Sequence, residues 1–380
     1  MTQRRRTVGR PARGRLVRLA GGLLAVAVLV ATANGHVLSA ASQTAADRYP
    51  GAHWDRASPA DFGWSTARVD EATAWASRIG MTAAIAAQHG VIVVSWGAVS
   101  EKLELHSIRK SLLNALLGIA IARRRIDLRE TLADLGIDDT PPPLTPEERT
   151  ATVLDLLEAR SGVYHPALYE TAGMAAARPP RGSHAPGTFW YYNNWDFNVL
   201  GTVYERAAGR SVFTAFAEAI AAPIGMEAYR PADGGYVTGT ASRYPAYPFR
   251  MAARDLARFA LLYLRRGRWG GRQIVPAAWV DASTTAHSLA GSGLGYGYLW
   301  WTGLPHRGAP VVGLPDGGFF AWGALGQFAL VVPSDDLIVV SLKRARPAVT
   351  LRQMGHFLWL ILQAAHAPDA GADPLSSSAR

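Results

Sequence analysis

Two residues at the start of one apolar stretch, Ser107 and Lys110, have side chains that could form a nucleophile and its base. Residues three positions apart in a helix lie on one face, so their polar groups would come within hydrogen-bond distance. A serine hydroxyl needs a neighbouring group to remove its proton before it attacks a carbonyl. A lysine can be that group when burial or a neighbouring cation lowers its pKa. The pair therefore indicates nucleophilic chemistry.

The scarcity of lysine supports this interpretation. The chain has 39 Lys and Arg residues in all, but its only lysines are Lys102, Lys110 and Lys343. Arginine cannot in practice lose its proton, whereas a buried lysine can. A lysine at position 110 therefore favours a role that needs a neutral amine. The alternative is a helix cap at Ser107 followed by a surface lysine, and the four-residue pattern alone does not separate the two.

A second group of polar side chains lies in the aromatic-rich stretch 187–209, where Tyr192 and Asn194 form a Tyr-x-Asn pattern. A phenol can transfer a proton in the transition state, and an amide can hold a substrate carbonyl or the lysine. The alternative interpretation is a loop that enters a helix, with Asn194 as the cap.

Strands near both ends of the chain and helices between them would position these groups. The apolar spacing predicts a helix over 107–125, preceded by two strands within 81–100, and a hairpin over 326–344. Other helices are predicted at 68–79, 147–160, 196–208, 211–221, 253–266, 276–284 and 349–364. The expected fold class is α+β, with an antiparallel sheet built from both chain ends, flanking helices and an inserted helical region over about 107–285.

Composition excludes several classes of protein. Hydrophobic residues make up 49% and charged residues 18%, which is typical of a globular protein and argues against disorder. Seven arginines in the first 18 residues account for most of the net charge of +10, so no basic patch indicates nucleic-acid binding. The absence of cysteine excludes thiolate metal sites and a cysteine nucleophile. The ten histidines show no metal-binding spacing, and we expect neither a metal nor a cofactor.

The N-terminus has the pattern of a targeting segment. Its arginines precede an apolar run over 19–33, which is about 15 residues long and shorter than the roughly 20 that span a bilayer. We therefore expect an exported protein, periplasmic or extracellular, with 1–46 as a cleaved signal and tether. An uncleaved membrane anchor is the alternative. One domain over 47–366 and a flexible tail over 367–380 would follow.

Several stretches, taken in order, resemble the β-lactamase-related serine hydrolases. They are SIRK with its helix, YNNWDFNVLG, RDLARFALLYLRRGRWGGRQIVP, GYGYLWW and VVPSDDLIVV, and the likeness covers about residues 60–345. This family includes class C β-lactamases, D-Ala-D-Ala carboxypeptidases, penicillin-binding-protein-like esterases and 6-aminohexanoate-dimer hydrolases. The resemblance implies the β-lactamase/transpeptidase-like fold.

The resemblance also implies roles for individual residues. Ser107 would be the acylated nucleophile and Lys110 its activator. Tyr192 would act with Lys110 as general base or acid, and Asn194 would orient the substrate or Lys110. Backbone N–H groups of Ser107 and of the strand that begins near Gln327 would form the oxyanion hole.

The chain departs from the family at its third motif, which in relatives is Lys-Thr-Gly, His-x-Gly or Trp-x-Gly. We align Ala324-Leu325-Gly326 with it, so no cation stands there. In penicillin-recognising members that cation binds a substrate carboxylate, and its absence points instead to a neutral ester or amide. Gly326 and Gln327 are expected to contact this substrate, and Trp322 to line the acyl pocket or pack in the core.

The remaining polar residues near these motifs are expected to have no direct part in the chemistry. His106 would pack beside the nucleophile, Asp196 would cap or pair within its helix, and Arg109 would be a solvated charge that helps lower the pKa of Lys110. His165 and His184 fall in the stretch 161–192, which resembles the loop over the site in relatives.

The expected function is hydrolysis of a small-molecule ester or amide through an acyl-enzyme. A β-lactamase or D-alanyl-D-alanine carboxypeptidase is one alternative, and a non-catalytic ligand-binding relative is another.

Overall fold

The structure is a computed structural model in which residues 48–139, 142–291, 293–304 and 313–366 are described. The strands in these ranges are β1 (Ala83–Gln88), β2 (Val91–Gly97), β3 (Leu103–Glu104), β4 (Arg250–Met251), β5 (Arg268–Trp269), β6 (Arg272–Gln273), β7 (Ser288–Gly291), β8 (Leu294–Tyr296), β9 (Trp301–Gly303), β10 (Phe319–Gly323), β11 (Gln327–Val332) and β12 (Leu337–Leu342). The helices are α1 (Thr66–Arg78), α2 (Arg109–Ala122), α3 (Val153–Leu157), α4 (Ala172–Ala177), α5 (Asn194–Ala208), α6 (Val212–Phe216), α7 (Ala253–Leu264), α8 (Ala277–Ser283) and α9 (Leu351–His366).

Eight of the strands form an antiparallel sheet that joins the two ends of the domain. Its order is β2-β1-β12-β11-β10-β9-β8-β7, so the early hairpin β1-β2 lies directly against the late strand β12. The alanine-rich β1 is buried and pairs with the Val- and Ile-rich β12 along its whole length. The predicted α+β fold, with a sheet built from both chain ends and helices inserted between them, is confirmed.

Short elements such as α4 and the strand pairs β3-β4 and β5-β6 were not predicted, and two larger regions also differ from the sequence prediction. The predicted helix over 147–160 is a 3-10 turn at Glu148–Thr150 followed by the short α3, because the Thr152 side chain caps a new helix start and forms a capping box with Asp155. Strands β7 to β10 were not predicted. Two of them have only three residues, and glycines interrupt the alternation that normally marks a strand.

The helix α2 is the central element of the helical region. Every residue from Arg109 to Ala120 is buried, and the helix packs against α5, α6 and α8. A 3-10 turn at His106–Ile108 leads into it, and this turn contacts β10. The fold thus brings the first turn of α2 against one strand of the sheet, and Ser107 lies at that contact.

The N-terminal signal or anchor predicted over 1–46 and the tail over 367–380 lie outside the described residues. In the part of the chain that is described, no helix combines the length and the hydrophobicity needed to cross a bilayer.

We predict that Gly323→Ala separates β10 from the turn that carries Ser107. A Cβ atom at Gly323 would lie 2.2 Å from the carbonyl oxygen of Leu105, a contact that only backbone movement can relieve. Such overpacking costs about 1–3 kcal/mol. We expect a lower midpoint of thermal unfolding and slower labelling of Ser107 by a fluorophosphonate.

The matched control for this change is Gly303→Ala on the neighbouring strand β9. There the nearest atoms to a new Cβ lie at 3.6 and 3.7 Å, which is ordinary van der Waals contact. Equal labelling rates in the two variants would show that the approach of Gly323 to Leu105 does not position Ser107.

Candidate active site

The side chains of Ser107 and Lys110 are in direct contact. Lys110 Nζ donates a hydrogen bond to Ser107 Oγ at 2.7 Å. Neither the 3-10 turn at His106–Ile108 nor α2 has a side-chain cap, so Ser107 does not serve as the helix cap that the alternative interpretation requires. The three-residue spacing on one helical face thus produces the contact expected from the sequence.

Lys110 is buried among aromatic rings. It is 2% exposed, and Nζ lies 4.6 Å from the ring centre of Tyr192 and 4.9 Å from that of Phe197. Burial, and then the charge of Arg109, hold the pKa of the Lys110 amine well below its usual value. Among the described residues, no carboxylate forms an ion pair with this amine that would oppose the shift.

Arg109 is completely buried, so the expectation that it is a solvated charge is wrong. Its Nη2 donates to Asn198 Oδ1 at 2.8 Å, and its guanidinium lies 4.2 Å from the ring centre of Tyr247. The Nε and Nη1 atoms have no hydrogen-bond partner among the described residues. The physical reason for the burial is that α2 is apolar on nearly all faces, which is the pattern of a helix enclosed by protein.

Tyr192 lies beside Lys110, whose amine is 4.6 Å from its ring centre, and belongs to an aromatic cluster with Phe197, Tyr296 and Trp301. Burial raises the pKa of the Tyr192 phenol to about 12, although its hydrogen bond with Ser107 and the charge of Arg109 act to lower it. The phenol therefore keeps its proton at neutral pH. Lys110 and Tyr192 contact the same hydroxyl, and their pKa values are shifted in opposite directions.

Three asparagines of the segment that opens α5 fix the start of the 161–192 stretch. Their amide groups donate to backbone carbonyls, from Asn193 to Val163, from Asn194 to Tyr169 and from Asn198 to Leu168. The Asn194 Oδ1 atom is buried and has no hydrogen-bond partner among the described residues. The alternative interpretation made Asn194 the cap of α5. In the structure the cap is Asn193, whose side-chain oxygen accepts a hydrogen bond from the backbone N–H of Trp195.

The sequence analysis missed Tyr169. Its hydroxyl donates to Glu104 and lies 2.9 Å from His106 Nδ1, so it connects the 161–192 stretch to the residue before the nucleophile. His106 has φ +49°, a left-handed conformation that is uncommon for a residue with a side chain. No local pattern marks Tyr169, because the contact joins segments 63 residues apart.

Two more polar residues in or beside the loop, Asp196 and His184, have structural partners. Asp196 accepts from Ser161 at 2.6 Å and from Asn193 at 2.8 Å, which agrees with pairing at its helix start. The His184 ring stacks on Phe189 with 3.9 Å between centres. His165 is buried, and burial lowers the pKa of its imidazole.

The triplet that we aligned with the third motif of the family lies outside the strands. Ala324-Leu325-Gly326 forms a turn between β10 and β11 and is not part of a strand. The strands that contact the Ser107 turn are β10, which ends at Ala321-Trp322-Gly323, and β11. A triplet of small and apolar residues leaves no sequence feature to fix this register. The ring centres of Trp322 and Trp301 are 5.4 Å apart, and the Trp301 ring also contacts Tyr192.

Two residues expected to bind substrate have other contacts. A Cβ at Gly326 would meet Val349 at 2.5 Å, and φ is +105° there, so packing and backbone conformation both require glycine. The Gln327 side chain is buried and exchanges hydrogen bonds with the backbone of Lys343. Substrate contacts by Asn194, Trp322, Gly326 and Gln327 stay predictions.

The arrangement is suited to nucleophilic catalysis by serine. In the described ranges, no group of three or more His, Cys, Asp and Glu side chains is placed to hold a metal ion. The site instead combines a hydroxyl, an amine with a lowered pKa and a protonated phenol, which are the parts needed to activate a nucleophile and protonate a leaving group.

Comparison with known proteins agrees with this geometry. The sequence matches the Beta-lactamase family over residues 66–362. The chain belongs to the Beta-lactamase family. The match includes Ser107, Lys110 and Tyr192 together with the whole eight-stranded sheet, so the family resemblance seen in the sequence is confirmed. No curated protein sequence matches the chain.

Solved structures share the fold. The "Putative 6-aminohexanoate-dimer hydrolase from Bacillus anthracis" aligns with a TM-score of 0.61 and 21% identity, over 84% of this chain and 87% of that one. A penicillin-binding protein homologue from Caulobacter crescentus aligns at 0.54 and 17%, over 77% and 96%. EstCE1, a hydrolase with promiscuous acyltransferase activity, aligns at 0.55 and 16%, over 79% and 97%. At these identities the likeness concerns the fold alone.

We predict that Lys110→Met stabilises the protein at neutral pH. Because the pKa of Lys110 is lower in the folded protein than in the unfolded chain, the unfolded chain binds more protons between the two values. The wild-type free energy of unfolding therefore rises with pH through this window, up to the ordinary lysine pKa of 10.5. The advantage of the methionine variant should be largest at low pH and shrink as the pH rises.

Urea unfolding at several pH values measures this effect, and Lys343→Met is the matched control. Lys343 is also buried, but its amine donates to the carbonyls of Ile79 and Gly80, so its loss should destabilise the fold. A Lys110→Met protein less stable than wild type at neutral pH would mean that the amine is charged and favourably solvated in its pocket.

Proposed function

We propose that this protein is a serine hydrolase that cleaves a small-molecule ester or amide through an acyl-enzyme at Ser107. The observation that carries the proposal is the 2.7 Å contact between Ser107 Oγ and a buried lysine amine that has no carboxylate ion pair among the described residues. A surface lysine beside a serine would be protonated and could not act as a base.

In the first step the neutral Lys110 amine accepts the Ser107 proton while Oγ attacks the substrate carbonyl. Before this transfer, with the amine neutral, the hydrogen bond between the two side chains runs from the Ser107 hydroxyl to the nitrogen lone pair of Lys110. Arg109 beside Lys110 favours the neutral amine before reaction, in the way that a second cation activates other catalytic lysines. The carbonyl carbon becomes tetrahedral and its oxygen takes the negative charge.

Two backbone N–H groups are proposed to stabilise that oxygen. One belongs to Ser107, at the start of the turn into α2. The other comes from the end of β10 near Gly323, because the close approach of Gly323 to Leu105 brings this end of the strand to the nucleophile. Losing one such donor in a serine hydrolase costs roughly 10²–10³ in rate.

Tyr192 is proposed as the acid that protonates the leaving group. Its phenol holds a proton with a pKa of about 12 and interacts with Ser107, so it can donate as the bond to the leaving alcohol or amine breaks. Lys110, protonated in the first step, restores that proton. The same proton transfers then run in reverse order. A water molecule gives up a proton to Tyr192 or Lys110 and attacks the acyl-enzyme, Ser107 recovers its proton, and the acid is released.

The β10 triplet favours esters and amides over β-lactams. Ala321, Trp322 and Gly323 offer no side-chain cation at the place where penicillin-recognising relatives bind a carboxylate. The β-lactamase or D-alanyl-D-alanine carboxypeptidase alternative is therefore second. A non-catalytic binder is third, because binding alone needs neither an amine with a lowered pKa nor a protonated phenol beside the hydroxyl. Export, with or without membrane attachment, is proposed from the N-terminal pattern alone.

The experiment that tests the proposal is intact-protein mass after exposure to a fluorophosphonate, p-nitrophenyl esters and a penicillin. We expect a single fluorophosphonate adduct, steady release of p-nitrophenolate and no stable penicillin adduct. Ser107→Ala should abolish both the adduct and the turnover. An adduct without turnover favours the binder, a penicillin adduct favours the β-lactamase or carboxypeptidase, and no adduct at all contradicts the assignment of Ser107.

A second prediction tests the base. Lys110→Arg keeps the charge and much of the side-chain length but removes the ability to be neutral. We expect kcat/KM for p-nitrophenyl esters to fall by about 10³-fold or more, since members of one catalytic unit are not individually dispensable. Lys102→Arg, at a lysine paired with Asp233 away from the serine, is the control and should react as wild type does. Near-normal turnover by Lys110→Arg would assign the base to another group.

A further inference from the structure

An open groove lies between the segment that precedes Tyr192 and the edge strand of the sheet. It is lined by Arg160, by residues 188–190 and by residues 287–291, which include the edge strand β7, and its volume is about 610 Å³. This volume is within the usual range for small-molecule sites. Two apolar side chains at its rim, Phe189 and Leu289, are exposed. We call it the β7 groove.

Three buried hydrogen-bond donors of the β7 groove have no partner among the described residues. They are Arg160 Nε, Trp190 Nε1 and Ser288 Oγ. Ser288 as a whole is only 8% exposed. Because a buried donor without an acceptor is costly, three of them in one groove indicate that a ligand rich in acceptors completes them.

The charges around the groove favour an anion. Arg160 Nη1 lies 3.8 Å from Glu158 Oε2, and His287 Nδ1 lies 3.7 Å from the other oxygen of the same carboxyl, both beyond hydrogen-bond distance. Burial raises the pKa of Glu158, so its charge is held less firmly. The carboxylate of Asp155, the acid that precedes Glu158 in the chain, accepts a hydrogen bond from the backbone N–H of Thr152 in the capping box of α3. Arg160 Nη1 also donates to the carbonyl oxygen of His287 at 3.5 Å, so the donor of Arg160 without a partner is Nε, and its charge is only loosely matched.

The groove adjoins the catalytic residues through the aromatic cluster. The Trp190 ring contacts Tyr296 and Trp301, and the Tyr192 ring contacts the same two residues from its own position. Trp190 is also only two residues from Tyr192 in the chain. Trp190 therefore belongs to the same aromatic cluster as Tyr192.

We propose that the β7 groove binds a carboxylate at the end of the substrate remote from the scissile bond, with Arg160, Trp190 and Ser288 as its donors. The inference rests on the proposed function. It makes the preferred substrate an ester or amide that carries an acid group, and it places the carboxylate recognition away from β10, the strand that lacks a cation. A planar guanidinium and two neutral donors suit a carboxylate better than a lone ammonium would.

The test compares free acids with their methyl esters at equal chain length. One series carries the acid in the acyl part, as mono-p-nitrophenyl esters of the dicarboxylic acids from succinate to suberate. The other carries it in the leaving group, as acetyl esters of carboxyalkyl phenols. We expect wild-type kcat/KM to favour the acid over its methyl ester in one series, at one preferred length.

The variants assign this preference to the groove. Arg160→Gln should reduce the acid-to-methyl-ester ratio by about 10-fold to 100-fold, the usual worth of a hydrogen bond to a charged group. Trp190→Phe and Ser288→Ala each remove one donor and should reduce it less. Arg129→Gln, at an exposed arginine paired with Asp127, is the control and should leave the ratio unchanged.

Calorimetric titration of the Ser107→Ala protein with the preferred acid measures binding without turnover. One binding site that is lost in the Ser107→Ala, Arg160→Gln double variant supports the proposal even if no ester is hydrolysed. Wild-type turnover of methyl esters with no preference for acids, or the same preference in Arg160→Gln, overturns the inference and leaves the hydrolase proposal standing. Absence of both turnover and binding overturns both.

Discussion

The structure depends on burying a lysine amine, with a lowered pKa, in contact with a serine. Burial of an ammonium costs several kcal/mol unless a carboxylate compensates, and the described residues around Lys110 provide rings and a second cation in place of one. The fold encloses the amine, because every residue of α2 from Arg109 to Ala120 is buried. Arg109 is held in turn by Asn198 and the face of Tyr247, so the charge that disfavours Lys110 protonation is itself fixed.

The three lysines of the chain have three different roles. Lys102 forms an ion pair with Asp233, and Lys343 is buried but donates to the carbonyls of Ile79 and Gly80 at the end of α1. Of the three, only Lys110 lies where a neutral amine would have a chemical role. At Lys343 the compact ammonium fits a narrow space, since a Cβ added at Gly80 would lie 2.8 Å from its nitrogen.

Periodicity and local contacts predicted much of the fold and part of the site. The hairpins at both chain ends and α2 follow from continuous apolar patterns, and the Ser107–Lys110 contact follows from helix geometry. The register of β10, the short strands β7 to β9 and the position of Tyr169 did not follow, because each depends on pairing between distant segments. The burial of Arg109 could have been inferred, since nearly every residue around it in α2 is apolar.

Burial has opposite effects on the two groups that flank Ser107. It disfavours the charged form of each, and the charged form of a lysine is the protonated one while that of a tyrosine is the deprotonated one. The same apolar enclosure therefore lowers the pKa of Lys110 and raises the pKa of Tyr192, which are the two shifts that the proposed base and acid require. Arg109 acts differently, because its charge favours both neutral lysine and ionised tyrosine. The raised pKa of Tyr192 shows that burial is the stronger influence on the phenol, so the division between base and acid follows from how tightly the aromatic cluster excludes water.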